Sequence, residues 1–286
     1  MEQRISNLQN KPGSQKILAL GISLALVIIF MVILKTSTVL LMKLPIAYWY
    51  YRLLVEIIAA ALAVGAVFLT GNQSILKEKG RPWGNYAVPV ILIVLYFLVS
   101  TAGAFIHNLT AGSAFLPLPQ ILSYITTILL VGIAEEFLFR GAIMGKLMSA
   151  FNARRKSGAY VSVFISGFLF GLVHISNIIN GTAPISAVLQ AISAMGIGFV
   201  LGALYYRSRN IWLMAALHAM IDMCALISSG VFATGETLES TLSASAVITK
   251  LPPIYTVFVI LVLTVPTILI TCFMLRNRKN DYETSK

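Results

Sequence analysis

The chain has 286 residues, of which 58% are hydrophobic and only 11% are charged, and its mean hydropathy is +0.88. Soluble domains carry about 25% charged residues, so this composition excludes an ordinary soluble enzyme, a disordered protein and a disulfide-rich secreted domain. The formal net charge is +11, but no run of Lys and Arg lies on a periodic soluble helix or strand, and we expect no nucleic acid partner. A polytopic membrane protein remains.

Apolar runs bounded by polar, Pro or Gly segments predict eight helices, at residues 17–42, 46–70, 86–107, 120–148, 159–178, 184–206, 211–229 and 253–275. A bilayer crossing needs about 20 mostly apolar residues, so the expected fold class is an all-α polytopic membrane protein. We expect one integral membrane domain at 17–275, with its motif-bearing helices within 120–229. Polar tails are expected at 1–16 and 276–286.

The positions of Lys and Arg predict the orientation of these helices. With the N-terminus inside, most of the 21 Lys and Arg fall in the inner segments 1–16, 71–85, 149–158, 207–210 and 276–286. The outer segments contain only Lys35, Lys43 and Lys250. This asymmetry predicts that both termini are cytoplasmic, and the positive inner surface also favours contact with anionic membrane lipids.

Ionisable residues inside the predicted spans are candidates for function, because a charge at mid-bilayer costs several kcal/mol. In the fourth predicted helix, Glu136 and Arg140 lie one turn apart on one face, whereas Glu135 lies about 140° from Arg140 around the helix axis. One carboxylate can therefore be neutralised by the guanidinium while its neighbour is left to titrate. A structural ion pair with a spare protonated Glu is the alternative.

Two other predicted helices carry histidines. In the fifth, His174 shares a face with Gly167 and Gly171, whose spacing allows two membrane helices to approach closely. In the seventh, His218 and Asp222 lie one turn apart and can form an Asp-oriented imidazole, a pair of metal ligands or a simple hydrogen bond.

The second predicted helix carries Arg52 and Glu56, also one turn apart. For this pair we favour a structural ion pair or a place in the wall of a site over a catalytic role. Cys224 and Cys272 both lie in apolar stretches, so neither a disulfide framework nor a cysteine metal site is expected.

Together these residues resemble the CPBP family of intramembrane glutamic endopeptidases, which contains CAAX prenyl proteases and bacteriocin-processing enzymes. The matching motifs are Glu135-Glu136-x-x-x-Arg140, Phe170-x-x-x-His174 and His218-x-x-x-Asp222, in family order and on separate helices. The flanking Phe139-Arg140-Gly141 and Phe170-Gly171 resemble the bacterial branch of the family. The motifs span 135–222, less than a third of the chain.

The resemblance implies an enzyme that hydrolyses a peptide bond inside the membrane with a Glu-activated water. By analogy, Glu135 and His174 bind and activate that water, with Glu135 as the general base. His218 and Asp222 are expected to steady the oxyanion or the substrate.

By the same analogy, Arg140 holds Glu136 in place.

The prenyl-protease branch typically has Asn where this chain has Asp222. An Asn offers an amide donor, whereas an ionised Asp can only accept a hydrogen bond. This departure weakens the expectation of a prenylated substrate more than the expectation of a protease.

No cofactor is expected. A zinc site formed by Glu135, His174 and His218 is the disfavoured alternative. Zinc proteases of the zincin type place His-Glu-x-x-His on one helix, and this sequence lacks that motif.

The expected partners are a hydrophobic peptide or lipidated protein substrate and the lipids of the bacterial plasma membrane. The role predicted for the enzyme is peptide maturation or self-immunity against a bacteriocin. A non-catalytic membrane partner that binds or regulates another protein is the first alternative. A proton-coupled transporter is less favoured, because the two halves show no internal repeat and no paired interrupted helices.

Overall fold

The structure is a computed structural model that describes residues 12–82, 84, 86–180, 182–235 and 253–276. Nearly all of these residues are helical, and the described ranges contain no β-strand. One isolated antiparallel bridge joins Phe115 to Phe232. The predicted all-α fold class is confirmed.

The described ranges contain a series of α-helices with short connections. In chain order they are α1 (Pro12–Leu41), α2 (Tyr48–Leu69), α3 (Ala87–Thr110), α4 (Leu118–Glu136), α5 (Gly145–Ala150), α6 (Lys156–His174), α7 (Pro184–Ser208), α8 (Ile211–Val231) and α9 (Pro253–Arg276). A π-helical segment, Phe137–Met144, joins α4 directly to α5. Short 3-10 helices follow α2 (Gln73–Lys77) and α6 (Ile175–Asn180).

Seven helical stretches in the described residues are long and apolar enough to cross a membrane. They correspond to the first seven predicted helices, the fourth being formed by α4, the π-helical segment and α5 together. The eighth predicted helix corresponds to α9. The chain is therefore a multi-pass membrane protein, and its exposed apolar side chains, such as Leu69 and Val99, are suited to contact lipid.

The first helix includes part of the segment predicted as a polar tail. Within the described residues, helix α1 spans Pro12–Leu41, so it takes in about one turn of the segment 1–16. The rest of the predicted tails, 1–11 and 277–286, lies outside the described residues.

Helix α4 lies at the centre of the bundle, between α2 and α8. Gly132 makes the contact with α8 possible, because a Cβ atom at this position would overlap the carbonyl oxygen of Ala215. A second tight pair is formed by α6 and α7, where Gly167 and Gly171 lie against Phe199 and Met195. The predicted close packing at the latter two glycines is confirmed.

The π-helical segment Phe137–Met144 is buried along its whole length. Its wider turn takes backbone carbonyls out of the regular hydrogen-bond ladder, and side chains from neighbouring elements bond them instead. Ser166 Oγ of α6 donates to the carbonyl of Phe139 at 2.8 Å. Asn72 Nδ2, after α2, donates to the carbonyl of Gly141 at 3.1 Å. Two other elements therefore hold the segment that follows the paired glutamates.

Candidate active site

A cavity of about 400 Å³ lies inside the bundle, between α1, α2, α4, α6, α7 and α8. Four of the predicted site residues contribute to its wall: Glu135, His174, His218 and Asp222. They come from α4, α6 and α8, which are separate in the sequence. The tertiary structure therefore brings the three predicted motifs to one cavity.

Glu136 and Arg140 lie behind this wall and are fully buried. Their predicted ion pair is present, with Arg140 Nη1 2.8 Å from Glu136 Oε1. Arg140 Nη2 also donates to the carbonyl of Gly198 on α7 at 3.1 Å. The guanidinium therefore fixes the position of Glu136 and links α4 to α7.

The same oxygen of Glu136 contacts His218, with Nδ1 of the imidazole at 2.7 Å. A carboxylate paired with Arg140 can only accept a hydrogen bond, so Nδ1 of His218 carries the proton. This contact leaves Nε2 as the imidazole nitrogen that faces the remaining acidic groups. Glu136 therefore orients His218 as well as neutralising Arg140.

His218 Nε2 lies between two further carboxyl groups. Glu135 Oε2 is 3.3 Å away and Asp222 Oδ2 is 3.5 Å away. The Glu135 and Asp222 side chains are 24% and 30% exposed, whereas the Glu136 side chain is 0% exposed. The two neighbouring glutamates thus occupy different surroundings, one enclosed with a cation and one at the cavity wall.

His174 lies at the end of α6 with its ring orientation fixed by its own helix. Its Nδ1 lies 2.9 Å from the carbonyl oxygen of Phe170. Because a carbonyl only accepts, Nδ1 must carry the proton, and Nε2 of the neutral ring is then an acceptor. A histidine in this tautomer can bind a water proton in the cavity.

The ring of Phe170 lies at the centre of the site. Its centroid is 5.1 Å from that of His174 and 5.5 Å from that of His218, both edge to face. The guanidinium of Arg140 lies over the same ring at 4.8 Å. Phe170 therefore packs against three of the predicted site residues and limits the orientations that their rings can adopt.

Arg52 and Glu56 lie on the opposite side of the cavity, on α2. Arg52 Nη2 donates to Glu56 Oε1 at 2.7 Å. Both side chains line the cavity, so the ion pair lies in the wall of the site, which is one of the two places that the sequence analysis favours.

Within the described ranges, no group of three or more His, Cys, Asp or Glu side chains has a geometry that could hold a metal ion. The disfavoured zinc ligands, Glu135, His174 and His218, therefore form no metal cluster in this arrangement.

Sequence reasoning missed three features of this site. It paired His218 with Asp222, but the shorter contact of His218 is with Glu136 on another helix. It did not predict the contact between Phe170 and Arg140, and it did not predict the π-helical segment. Periodicity locates residues within one helix only, so a sequence without related sequences carries no signal for these contacts between helices.

Residues 117–224 match the family model described as Rce1-like, type II CAAX prenyl endopeptidase. The matched segment begins just before α4 and ends within α8, so it contains all three motifs. This part of the chain belongs to the CAAX protease family. The resemblance predicted from the motifs is confirmed for this segment, and the family that it matches is a family of peptide-bond hydrolases. No curated protein matches the chain.

Proposed function

We propose that this CAAX-type protease hydrolyses a peptide bond of a hydrophobic or lipid-linked peptide with a water activated by Glu135 and His174. The observation that carries the proposal is the cavity whose wall combines these two side chains with His218 and Asp222. Hydrolysis of a peptide bond needs a general base, a hydrogen-bond donor to the oxyanion and a proton donor for the leaving amine. The cavity contains side chains for each of these roles.

The proposed reaction begins with a water between Glu135 and His174. Glu135 takes one proton while Nε2 of His174 accepts a hydrogen bond from the other, and the oxygen attacks the carbonyl carbon of the peptide bond. The proton held by Glu135 then passes to the nitrogen of the departing amine as the C–N bond breaks. One water and one peptide bond give one carboxylic acid and one amine, and the acid then passes its proton to the amine or to solvent. No metal or cofactor takes part in the proposed reaction.

His218 is proposed to stabilise the negative charge on the carbonyl oxygen. Its Nδ1 is held by Glu136, and a proton on Nε2 would point toward the cavity wall formed by Glu135 and Asp222. Glu136 accepts the hydrogen bond from Nδ1 and fixes the orientation of the ring, and the ion pair with Arg140 fixes Glu136 in turn. Asp222 in its protonated form can supply a second donor.

For biological role, we propose maturation of a secreted peptide or self-immunity against a bacteriocin, in a bacterial plasma membrane. The support is the resemblance of Phe139-Arg140-Gly141 and Phe170-Gly171 to the bacterial branch. Asp222 in place of Asn supports an unmodified hydrophobic peptide over a prenylated one.

The test is cleavage of quenched fluorescent peptides by purified protein in detergent, with matched apolar peptides that carry or lack a farnesyl group. We expect Glu135→Gln and His174→Ala to lower kcat by about 10²- to 10⁴-fold, the usual contribution of acid–base groups. Glu78→Gln is the matched control, because Glu78 pairs with Arg209 away from the cavity. Full activity of Glu135→Gln would refute the mechanism, and cellular function that survives both site variants would favour a non-catalytic binding partner.

A further inference from the structure

The cavity is placed asymmetrically along the predicted membrane normal. Taking the N-terminus as cytoplasmic, α1 ends and α2 begins at the non-cytoplasmic face. On this face the lining reaches Thr38, roughly 5 Å from the end of α1, and Trp49, one residue after the start of α2. The cavity therefore extends to the helix ends at the non-cytoplasmic face.

The opposite end of the cavity stops well short of the cytoplasmic face. The lining residue nearest to that face is His218, roughly 10 Å along α8 from Ile211. On the α4 side the lining stops at Phe139, roughly 16 Å before the end of α5 at Ala150.

Closely packed side chains fill the space between the cavity and the cytoplasmic face. The π-helical segment Phe137–Met144 is buried throughout, and it lies on the cytoplasmic side of Glu135. Fully buried apolar residues from α5, α7 and α8 continue this layer: Leu147, Leu201, Leu204 and Met214. A peptide cannot pass through such packing without separating the helices.

Polar side chains concentrate at the non-cytoplasmic end of the cavity. They are Lys35, Thr38, Ser176, Asn177, Gln190 and Ser193, from the outer halves of α1 and α7 and from the 3-10 helix after α6. Asn177 Nδ2 donates to Gln190 Oε1 at 2.8 Å. This bond leaves Asn177 with an amide oxygen and Gln190 with an amide nitrogen, which are one acceptor and one donor.

Such a pair matches the backbone of an extended peptide. Each peptide unit presents one N–H and one C=O, and both need partners when they leave water for an apolar cavity. Farther into the cavity, the wall includes the apolar side chains of Phe30, Met31 and Ile197 beside the Arg52–Glu56 ion pair. The site thus combines backbone partners at its mouth with apolar wall residues nearer the acidic cluster.

We propose that the cavity takes its peptide from the non-cytoplasmic side of the membrane, and that Asn177 and Gln190 bind the peptide backbone at the entrance. The occupant is an extended, apolar segment that has already crossed the membrane, rather than the lipidated tail of a cytoplasmic protein. The identification of the occupant as a peptide rests on the proposed function. The direction of access rests on the placement of the cavity and on the distribution of Lys and Arg.

The test of access is cysteine labelling in a background in which Cys224 and Cys272 are replaced by Ala. Ser193→Cys places a thiol in the cavity, Ala111→Cys one in the exposed loop after α3, and Ser149→Cys one near the exposed end of α5. Intact cells are treated with a membrane-impermeant methanethiosulfonate that carries a trimethylammonium group. We expect labelling at Ser193→Cys and Ala111→Cys, and labelling at Ser149→Cys only after the cells are permeabilised.

Three outcomes overturn the proposed access. If Ser193→Cys behaves like Ser149→Cys and is labelled only after permeabilisation, the entrance lies in the cytoplasm. Labelling of Ser193→Cys only by a lipid-soluble maleimide places the entrance within the bilayer. Exclusion of the reagent from Ala111→Cys in intact cells reverses the predicted orientation. Because labelling does not require turnover, Glu135→Gln in the same background separates a failure of this inference from a failure of the proposed chemistry.

The backbone-binding role is tested by Asn177→Ala and Gln190→Ala in the peptide cleavage assay. Each is expected to raise KM about three- to tenfold with kcat unchanged, since one neutral hydrogen bond is lost from binding and not from the reacting atoms. Gln120→Ala, at the outer end of α4 and outside the cavity lining, is the matched control and should leave KM unchanged. Unchanged KM in Asn177→Ala and Gln190→Ala would remove this pair from the entrance.

Discussion

His218 and Glu136 lie on different helices, yet Nδ1 of His218 is 2.7 Å from Glu136 Oε1, the same oxygen that contacts Arg140. One carboxylate oxygen thus joins a guanidinium and an imidazole in a fully buried group. Burying an isolated charge is costly, whereas a buried group of opposite charges with hydrogen bonds is tolerated. This relationship gives Glu136 a structural task that Glu135 does not share.

Glu136→Gln is therefore expected to destabilise the fold, because Arg140 loses its buried counter-ion. Removal of one partner from a buried pair costs about 3–5 kcal/mol. Thermal unfolding in detergent should show a lower midpoint for Glu136→Gln than for Glu135→Gln, whose side chain is partly exposed. Equal midpoints for the two variants would show that the pair with Arg140 does not stabilise the fold.

Ser166→Ala should lower stability through the π-helical segment. It removes the donor to the carbonyl of Phe139, and a buried acceptor without a partner costs about 1–3 kcal/mol. Ser162→Ala is the matched control, since the Ser162 hydroxyl bonds a carbonyl of its own helix, at Gly158. We expect the unfolding midpoint to fall in Ser166→Ala and to change little in Ser162→Ala; the reverse order would contradict this account.

Gly132→Ala should separate α4 from α8 and impair cleavage. An added Cβ atom would overlap the carbonyl oxygen of Ala215, which is backbone and cannot move aside alone. Overpacking of this kind costs about 1–3 kcal/mol and would displace Glu135 from His218. Gly65→Ala, where nothing lies within 4 Å of the added atom, should preserve both stability and activity.

Glu56→Gln tests the predicted role of the α2 pair in the cavity wall. Because Glu56 accepts a hydrogen bond from Arg52 and has no part in the proposed proton transfers, kcat is expected to fall less than about tenfold, below the effect of losing a general base. The measurement is kcat for peptide cleavage by Glu56→Gln and by Glu135→Gln under the same conditions. A loss in Glu56→Gln as large as that in Glu135→Gln would make Glu56 a candidate for the base.

Metal removal is expected to leave activity unchanged, because Glu135 and His174 activate the water without a metal in the proposed mechanism. The measurement is peptide cleavage after dialysis against a chelator, with and without added zinc. A loss of cleavage that zinc restores would replace the proposed water activation with a metal-bound water.

Much of the fold follows from local patterns. Each apolar run near 20 residues forms a helix because lipid offers no partner for backbone polar groups, and every N–H and C=O must then be bonded within its own segment. The ion pair of Glu136 and Arg140 follows from their spacing, because residues four apart lie close together on a helix surface. Neither conclusion needs knowledge of a second helix.

Contacts between helices follow other rules. The bond from His218 to Glu136, the place of Phe170 beside Arg140, and the π-helical segment each depend on how closely two helices approach. In a bilayer, small residues such as Gly132 and Gly167 set how closely two helices approach. The hydrophobic effect does not drive association there, because lipid tails are as apolar as the helix surfaces.

The sequence by itself determined that the protein is a bundle of membrane helices, and it located the charged side chains that such helices rarely carry. It also determined the order of the family motifs. Only the tertiary structure decided that Glu135 faces a cavity while Glu136 is enclosed, and that the cavity reaches one end of the bundle. The physical reason is that periodicity fixes the angle of a side chain around its own axis, whereas packing fixes which neighbour that side chain meets.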